Sequence, residues 1–502
     1  TNTCTRHNCL RNSNAEDIYG FVIPLKKYVK NLLISEITKL CNYCIEENIF
    51  PSCLKVALVV PIHKKGDSDE LNNYRPISLL PVLSKILEKL LLNQILDYLQ
   101  ANDILSQCQY GFSKGRSTIS AILDFTNNVF QSFESKKFYS TSFLDLSKAF
   151  DCVSHDILIR KLFYYNFHPS ATKLLLSYLS TRSQCVKIDG KLSSTLNVEY
   201  GVPQGSILGP VLFLLYINDL PNLLNQTDII LYADDTTIST SDLSLDNLTT
   251  KKKQLNTLAE EWFVINRLSL NKDKTVQMLF TLKHTVLDNT YSAFTKFLGL
   301  HIDCQLNWHK HGEQVSNKIS KGIYFLRFMS NSLSQTFLRT VYFALIHSHL
   351  QYGILVWGHS SSLQSVFKLQ RRAVRVIANI GYRDDCRQYF RELNIITLPS
   401  LFIYKCLEYI VTNLTSFPLL NESHQYYTRT EMVAYNTLRL TKTRDGTHYL
   451  AIKYYNIIPT LIKKLPPKIF LHKIKKYLVE KTFYNCDEFL RNNFSDLVAE
   501  AV

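Results

Sequence analysis

Between residues 81 and 100 apolar side chains recur at Leu83, Ile86, Leu87, Leu90, Leu91, Ile95 and Leu99. Steps of three and four lay such a set along one face of a helix. A shorter stripe (Leu32, Leu33, Ile37, Leu40, Cys44) predicts a helix that ends before Phe50-Pro51. A third (Leu158, Leu162, Tyr165) predicts another, with Ser154 as its cap. The β-branched run Val56 to Val60 reads as a strand, and Thr181 to Val198 alternates weakly around Asp189-Gly190, a hairpin dipeptide. Ile229 to Leu231 and Thr236 to Thr240 read as two more strands joined through Tyr232-Ala233-Asp234-Asp235. Another apolar run ends at Phe143-Leu144-Asp145, and residues 312 to 412 return to a helical pattern. Residues 416 to 430 are polar and read as a linker before a helix at Ile474 to Leu478. Strands and helices are mixed, which predicts an α+β chain.

Two adjacent carboxylates at a hairpin tip are ordinarily a solvated turn, because Asp is a favoured turn residue. Asp145 changes that reading. If the two segments are neighbouring strands, Asp145 and Asp234 converge, and such a cluster repels itself unless cations occupy it. Hard oxygen ligands with room for substrate phosphates suit Mg²⁺, and a pair of such ions serves in-line phosphoryl transfer.

Three blocks then stand in order: Phe143-x-Asp145-x4-Phe150-Asp151, Gly201-Val-Pro-Gln204-Gly205-Ser-Ile-Leu-Gly-Pro210, and Tyr232-Ala-Asp-Asp235. Their wording resembles motifs A, B and C of reverse transcriptases, and most closely the jockey-like non-LTR retrotransposons. The resemblance runs from about residue 17 to near the C-terminus. It implies a right-hand polymerase of fingers, palm and thumb, with an antiparallel palm sheet and a helical C-terminal region. The expected boundaries are an N-terminal extension (1–55), fingers (56–140), palm (141–303), thumb (304–415) and a C-terminal segment (416–502).

The resemblance also implies roles. Asp145, Asp234 and Asp235 become catalytic and, with Leu146, hold two Mg²⁺ ions, Mn²⁺ being the alternative. Lys64 or Lys65 and Arg75, in Tyr74-Arg-Pro-Ile-Ser78, grip the triphosphate; Phe150 lies beneath the sugar, and Gln204 with Gly205 faces the nascent base pair. Asn271-Lys-Asp-Lys274-Thr275 matches the following block and nominates Lys274 as the acid for the leaving pyrophosphate. Gln109-Tyr-Gly111-Phe-Ser-Lys114-Gly-Arg116-Ser-Thr118 resembles a block along the template; a Gly-spaced basic loop opening a helix also suits phosphate. Phe297-Leu298-Gly299-Leu300 resembles the primer-grip hairpin. Asp151 and His155 read as structural, and the glycines of the second block as points where backbone approaches a ligand.

Charge agrees with such partners: 57 Lys and Arg against 42 Asp and Glu leave a net +15, and a basic surface favours polyanions. Lys368, Arg371, Arg372 and Arg375 share one helical face, extended by Arg383, Arg387 and Arg391, with Asp384 and Asp385 in opposition. Such a face is usually only solvated; after a palm it fits a thumb tracking duplex backbone. Cys41-x-x-Cys44 without a second pair suits a buried helix face rather than zinc. His301, Cys304, His309 and His311 lie close together, but their spacing matches no standard finger.

No apolar run is long enough to span a bilayer and none resembles a signal peptide. The expected partners are an RNA template, a DNA primer and dNTPs, with no membrane. The expected location is intracellular, cytoplasmic as a ribonucleoprotein with nuclear access. An endonuclease domain is expected upstream of this segment, and priming from nicked chromosomal DNA. Two readings stay open beside this one: an intron-encoded or retron-type reverse transcriptase, and a domesticated copy that only binds RNA.

Overall fold

The computed structural model describes residues 15–22, 30–64, 66–224, 227–283, 290–418, 432–435 and 437–499. In chain order the elements that matter here begin with α1 (Lys30–Glu46), β1 (Val56–His63), β2 (Tyr74–Leu79), α2 (Val82–Ala101), α3 (Thr118–Glu134) and β3 (Phe138–Leu144). Next come α4 (His155–Tyr164), β4 (Arg182–Ile188), β5 (Lys191–Leu192), β6 (Leu196–Val198) and α5 (Gly209–Ile217). Then follow β7 (Asp228–Tyr232), β8 (Asp235–Asp242), β9 (Phe294–Phe297), β10 (Leu300–Asp303), α6 (His309–Ser330) and α7 (Ser362–Ala378). The chain closes with α8 (Leu398–Thr412), α9 (Thr447–Asn456) and α10 (Pro467–Lys481). It divides into two compact units.

The first unit comprises residues 1–117, 141–240 and 249–276. β1 pairs antiparallel with β2, in a register that sets Leu58 opposite Leu79 and Ile62 opposite Arg75. On its other side β1 runs parallel to β4, with Val56 opposite Ser183. β4 turns back into β5 through Asp189 and Gly190, both at positive φ (48° and 80°), the hairpin that the dipeptide predicts. In a second sheet β7, β8 and β3 lie side by side.

Helix α5 is apolar on every side, and Val211 to Ile217 are all buried. A helix apolar all round belongs inside a core, and α5 packs there with Leu87, Leu91, Ile95, Leu158 and Leu162. The stripe on α2 is core as expected except at Leu83, which is 40% exposed because it stands at the first turn, off the buried face. Cys41 and Cys44 are both buried on α1, whereas Leu33 is exposed.

Helix α2 also carries a carboxylate inside its buried stripe. Glu88 is fully buried; its Oε1 accepts from the Ser84 hydroxyl (2.8 Å) and its Oε2 from the amides of Ile207 (2.7 Å) and Leu208 (3.2 Å). Those amides open α5, where the free N–H groups of a helix start favour an anion. Burial pushes the Glu88 pKa up, and the hydrogen bonds from Ser84 and the two amides oppose it.

The second unit comprises residues 118–140, 241–248 and 277–502. The apolar face of α3 (Ile122, Phe125, Val129, Phe133) is buried within it. β9 and β10 form a two-residue hairpin whose loop, Leu298-Gly299, has φ of 44° and 89°. The Tyr352 hydroxyl donates to the Leu298 carbonyl at 2.5 Å, so the turn is pinned from outside. α6 lies against α7, where Gly312 leaves room for Ser362. On α7 the buried Gln370 amide donates to Tyr342 Oη (2.8 Å) and the Ile396 carbonyl (2.9 Å) and accepts from Leu398 N–H (2.8 Å).

The C-terminal residues are built into this unit rather than appended to it. Thr397 Oγ1 donates to the Phe483 carbonyl (2.6 Å), and Thr447 Oγ1 to that of Leu355 (2.5 Å). Glu134, at the end of α3, accepts from the amides of Arg439 and Leu440, each at 2.9 Å. Most of the polar 416–430 stretch, like Lys65, lies outside the described residues.

Candidate active site

The site lies wholly in the first unit, and the β7–β8 hairpin is its centre. Tyr232 pairs with Asp235, which leaves Ala233 and Asp234 as a two-residue loop. Ala233 takes φ of 56°, a left-handed conformation that an L-residue adopts at a cost. The turn is held there by residues 107–111. Leu231 N–H donates to the Cys108 carbonyl (2.9 Å), and Tyr110 N–H to that of Leu231 (2.8 Å). Gln109 Oε1 accepts from the amides of Gly111 (2.8 Å) and Ala233 (3.3 Å). The block expected along the template therefore also serves as a brace for the acids. Arg116 is turned back onto this loop, bonding the Gln107 carbonyl and, at 2.6 Å, Gln107 Oε1, over the Tyr110 ring. Lys114 is exposed.

β3 adjoins β8, so Asp145, one residue past β3, comes to the hairpin as the pairing of those two segments requires. Its backbone is fixed by residues 269–271: Asn271 N–H donates to the Asp145 carbonyl and Ser147 N–H to that of Ser269, each at 2.8 Å. Leu146, itself buried, forms a bridge with Leu270. The same segment delivers Lys274, whose Nζ stands 3.4 Å from Asp145 Oδ2. That oxygen is buried and accepts no hydrogen bond.

The acids sense one another. Burial raises the pKa of Asp234, and the charge of Asp145 adds to it, while Arg75 and Lys64 pull it down. Asp235, on the more open side, is pushed up to about 6, first by desolvation and then by Asp234 and Asp145. Among the described residues no three His, Cys, Asp or Glu side chains are grouped so as to hold a metal ion by themselves. An Asp145 oxygen that accepts no hydrogen bond and has the exposed Lys274 ammonium 3.4 Å away, beside two mutually repelling acids, nevertheless fits a cation that takes only part of its shell from protein, as Mg²⁺ does.

Of the residues assigned to the nucleotide, two stand beside the acids. Arg75 on β2 and Lys64, just past β1, are both close enough to Asp234 to lower its pKa. Phe150 is half-buried and stacks on Phe213 of α5, centroids 4.7 Å apart and planes 28° apart. Gln204 Nε2 donates to both carboxylate oxygens of Asp151, at 3.0 and 2.9 Å. That pairing supports the structural reading of Asp151, and it occupies the Gln204 amide.

The glycines of the second block each pack against a neighbouring backbone, and Gly201 also lines a cavity with Gln204 and Asp151. A side-chain carbon on Gly201 (φ 84°) would stand 2.7 Å from the Asp151 carbonyl oxygen, and one on Gly205 (φ 112°) 2.8 Å from that of Ser78. His155 is structural as expected, its Nε2 lying 2.8 Å from the Gly201 carbonyl oxygen. Ser154 occupies the N-cap position of α4, but its side chain makes no cap bond. Its hydroxyl instead receives Arg267 Nη1 at 3.5 Å.

In the second unit the α7 face forms as spaced, but only Lys368 projects fully. Arg375 Nε donates to the Asp384 carbonyl at 2.8 Å, and Arg372 lies over the Tyr382 ring. Arg371 and Arg387 both lie over Tyr484, at 5.5 and 4.2 Å from the ring centre, and Arg387 also pairs with Glu488 at 3.5 Å. His311 is buried edge-on to Trp357 and takes the His301 N–H on its Nδ1 at 3.5 Å.

Coupled acids at the meeting of two strands, a braced hairpin and two cations facing it are the setting of a nucleotidyl-transfer domain. The family model of reverse transcriptase (RNA-dependent DNA polymerase) matches residues 62–302, so the chain carries a reverse transcriptase domain. Several of its relatives are named RNA-directed DNA polymerases of transposons or mobile elements. It is 31% identical over 388 residues to the probable RNA-directed DNA polymerase from transposon BS of Drosophila melanogaster, covering 71% of this chain and 42% of that one. To the RNA-directed DNA polymerase from mobile element jockey of the same organism it is 27% identical, covering 70% and 41%. The chain thus spans about two fifths of the relatives it matches. Telomerase from Candida tropicalis with a fragment of telomeric RNA aligns over 92% of this chain and 69% of its own. At 14% identity and a TM-score of 0.44, that likeness is too loose to argue from. No helix among the described residues is long and apolar enough to cross a membrane.

Proposed function

We propose that the chain is an RNA-directed DNA polymerase that copies a retrotransposon RNA, extending a DNA primer with dNTPs. The single observation that carries this is the trio Asp145, Asp234 and Asp235, electrostatically coupled and faced by Arg75 and Lys64. On this reading the fingers (56–140) and palm (141–303) fall mainly within the first unit, with residues 118–140, 241–248 and 277–303 in the second, and α6 and α7 belong to a thumb.

The primer 3′-oxygen attacks the α-phosphorus, a P–O bond forms, and the bond to the β-phosphate breaks to release pyrophosphate. Asp145, Asp234, Asp235 and the backbone of Leu146 would hold two Mg²⁺ ions, which when bound activate the 3′-hydroxyl and neutralise phosphate charge. Asp235, near 6, is mostly ionised above neutrality and so ready to bind a cation. Arg75 and Lys64 receive the triphosphate, charge-assisted donors being the stronger kind. On this reading Lys274, whose Nζ lies 3.4 Å from Asp145, gives a proton to the leaving pyrophosphate. Priming from nicked chromosomal DNA is the mode that the jockey-like relationship favours.

The purified chain, given poly(rA)/oligo(dT), dTTP and Mg²⁺, is expected to extend the primer. Absence of extension by the folded chain, with Mg²⁺ or Mn²⁺, would favour a domesticated RNA-binding copy instead.

A further inference from the structure

Helix α6 has two apolar faces where a surface helix needs one. The inner face (Val315, Ile319, Ile323, Leu326) is buried. The outer face carries three large rings in the open: Tyr324 is 69% exposed, Phe325 50% and Phe328 76%. Single exposed apolar residues need no explanation, but a contiguous patch marks a binding surface. At 3.6 residues per turn these rings fall within about 60° of Lys321 around the axis, and so does Lys318. Tyr324 and Phe325 touch edge to face, centroids 5.9 Å apart.

Charge decides what the patch fits. The helix contains Lys310, Lys318, Lys321 and Arg327 against one acid, Glu313. Glu313 is engaged by Lys310 at 3.4 Å, whereas Lys318 and Lys321 make no ion pair among the described residues. A basic half-stripe running into an aromatic half-stripe is what a polynucleotide strand needs: cations for its backbone and ring faces for its bases.

Two further observations favour a single strand over a duplex. Gly312, where α6 meets Ser362 of α7, lies nine residues from Lys321. Nine residues are two and a half turns, so the rings point away from α7 and its basic face. Tyr324 and Phe328 stand four residues, or about 6 Å, apart along the axis. Stacked bases repeat at about 3.4 Å per strand, so bases on both rings have to be splayed, as only a single strand allows.

We propose that the outer face of α6 binds a single strand of RNA or DNA, with its backbone along Lys318 and Lys321 and its bases on Tyr324 and Phe328. This rests on the polymerase reading only for its biological sense; the test requires no catalysis, so either reading can fail alone.

The test titrates fluorescein-labelled 20-nucleotide oligo(U) and oligo(dT), and a blunt DNA duplex, with the full chain. Y324A/F328A should weaken single-strand binding by about fivefold to a hundredfold for each base unstacked, with duplex binding changed less than twofold. K318Q/K321Q should flatten the single-strand salt dependence by about 1.4 log units per log unit, 0.7 for each phosphate released. A larger loss on oligo(U) identifies RNA as the ligand, a larger loss on oligo(dT) identifies DNA, and equal losses a face that takes both. The rings are exposed, so melting should match the parent; F328Q replaces the double variant if it does not. Unchanged single-strand binding overturns the proposal, and so does an equal loss on duplex. Intact binding with a dimeric parent and a monomeric variant in light scattering overturns it in favour of a protein interface.

Discussion

A side-chain carbon on Gly111 would stand 2.6 Å from the backbone nitrogen of Ala233. The loop that follows α2 and the turn that carries the acids are thus packed backbone to backbone. Gly111→Ala must move one of them, and neither is a flexible side-chain end. We expect its primer extension to fall at least about tenfold in kcat while the melting temperature drops by only a few degrees, a loss of about 1–3 kcal/mol being usual for overpacking. Parental kcat in Gly111→Ala would show that the turn is not braced there.

Asp234→Asn should abolish extension and leave template–primer affinity within about twofold, since the tip is assigned to cations and not to nucleic acid. Normal extension removes the catalytic assignment. Loss of duplex binding as well would make the tip structural.

Phe150→Val tests a gate. The ring is set rigidly by its stack on Phe213, at 4.7 Å, and a rigid ring beneath the sugar excludes a 2′-hydroxyl. A clash of about 1–3 kcal/mol gives roughly ten- to a hundred-fold discrimination. The variant should keep dNTP extension and newly accept rNTPs. Equal losses on both substrates would return Phe150 to the core of motif A.

On α7, Lys368→Gln with Arg372→Gln should flatten the salt dependence of duplex binding by about 0.9 log units per log unit for each phosphate that is no longer neutralised. Lys368 should contribute most, because Arg372 is half-buried against Tyr382. An identical slope makes this a solvated face only.

Burial, with His301 and Lys318 adding to it, pushes His311 down to about 4. Unfolded, a histidine titrates near 6.5. Between those values the unfolded chain binds a proton that the folded one refuses, so stability falls as pH drops from about 6.5 to about 4. The residue's share is up to about 3 kcal/mol, and it has no pH effect above that window. His347 and His359, also lowered to about 4, act in the same direction. In His311→Gln the decline of melting temperature across the window should be shallower. An unchanged decline assigns it to the other two.

The positions of Asp145, Asp234 and Asp235 at strand ends and at the turn were legible because the apolar pattern that sets where a strand starts and stops is local; their shared role was legible only through the resemblance of the three blocks. The Asp189-Gly190 turn was legible for the same reason. Glu88 was not, since a charged residue inside an apolar helical stripe gives no sign of the two amides that satisfy it. The glycines were only half legible: Gly201 and Gly205 read as points of close approach, and each also admits a second backbone, that of Asp151 and that of Ser78. Only tertiary structure names that second backbone. Ser154 shows a similar limit, because a residue in cap position can spend its hydroxyl elsewhere.

Glu88 sets the order in which this unit can close. Its helix is synthesised well before Ile207 and Leu208, 119 and 120 residues later. Until those amides exist, α2 carries in the middle of its apolar stripe an acid that lacks both hydrogen bonds to its Oε2, with Ser84 on Oε1 and Tyr178 and Arg182 as its other neighbours. Burying that face early would strand a charge, which is costly, so α2 stays wet on its inner side while the intervening chain emerges. The start of α5 then arrives as the piece that lets α2 go dry, and synthesis and burial run in opposite directions through the centre of the unit.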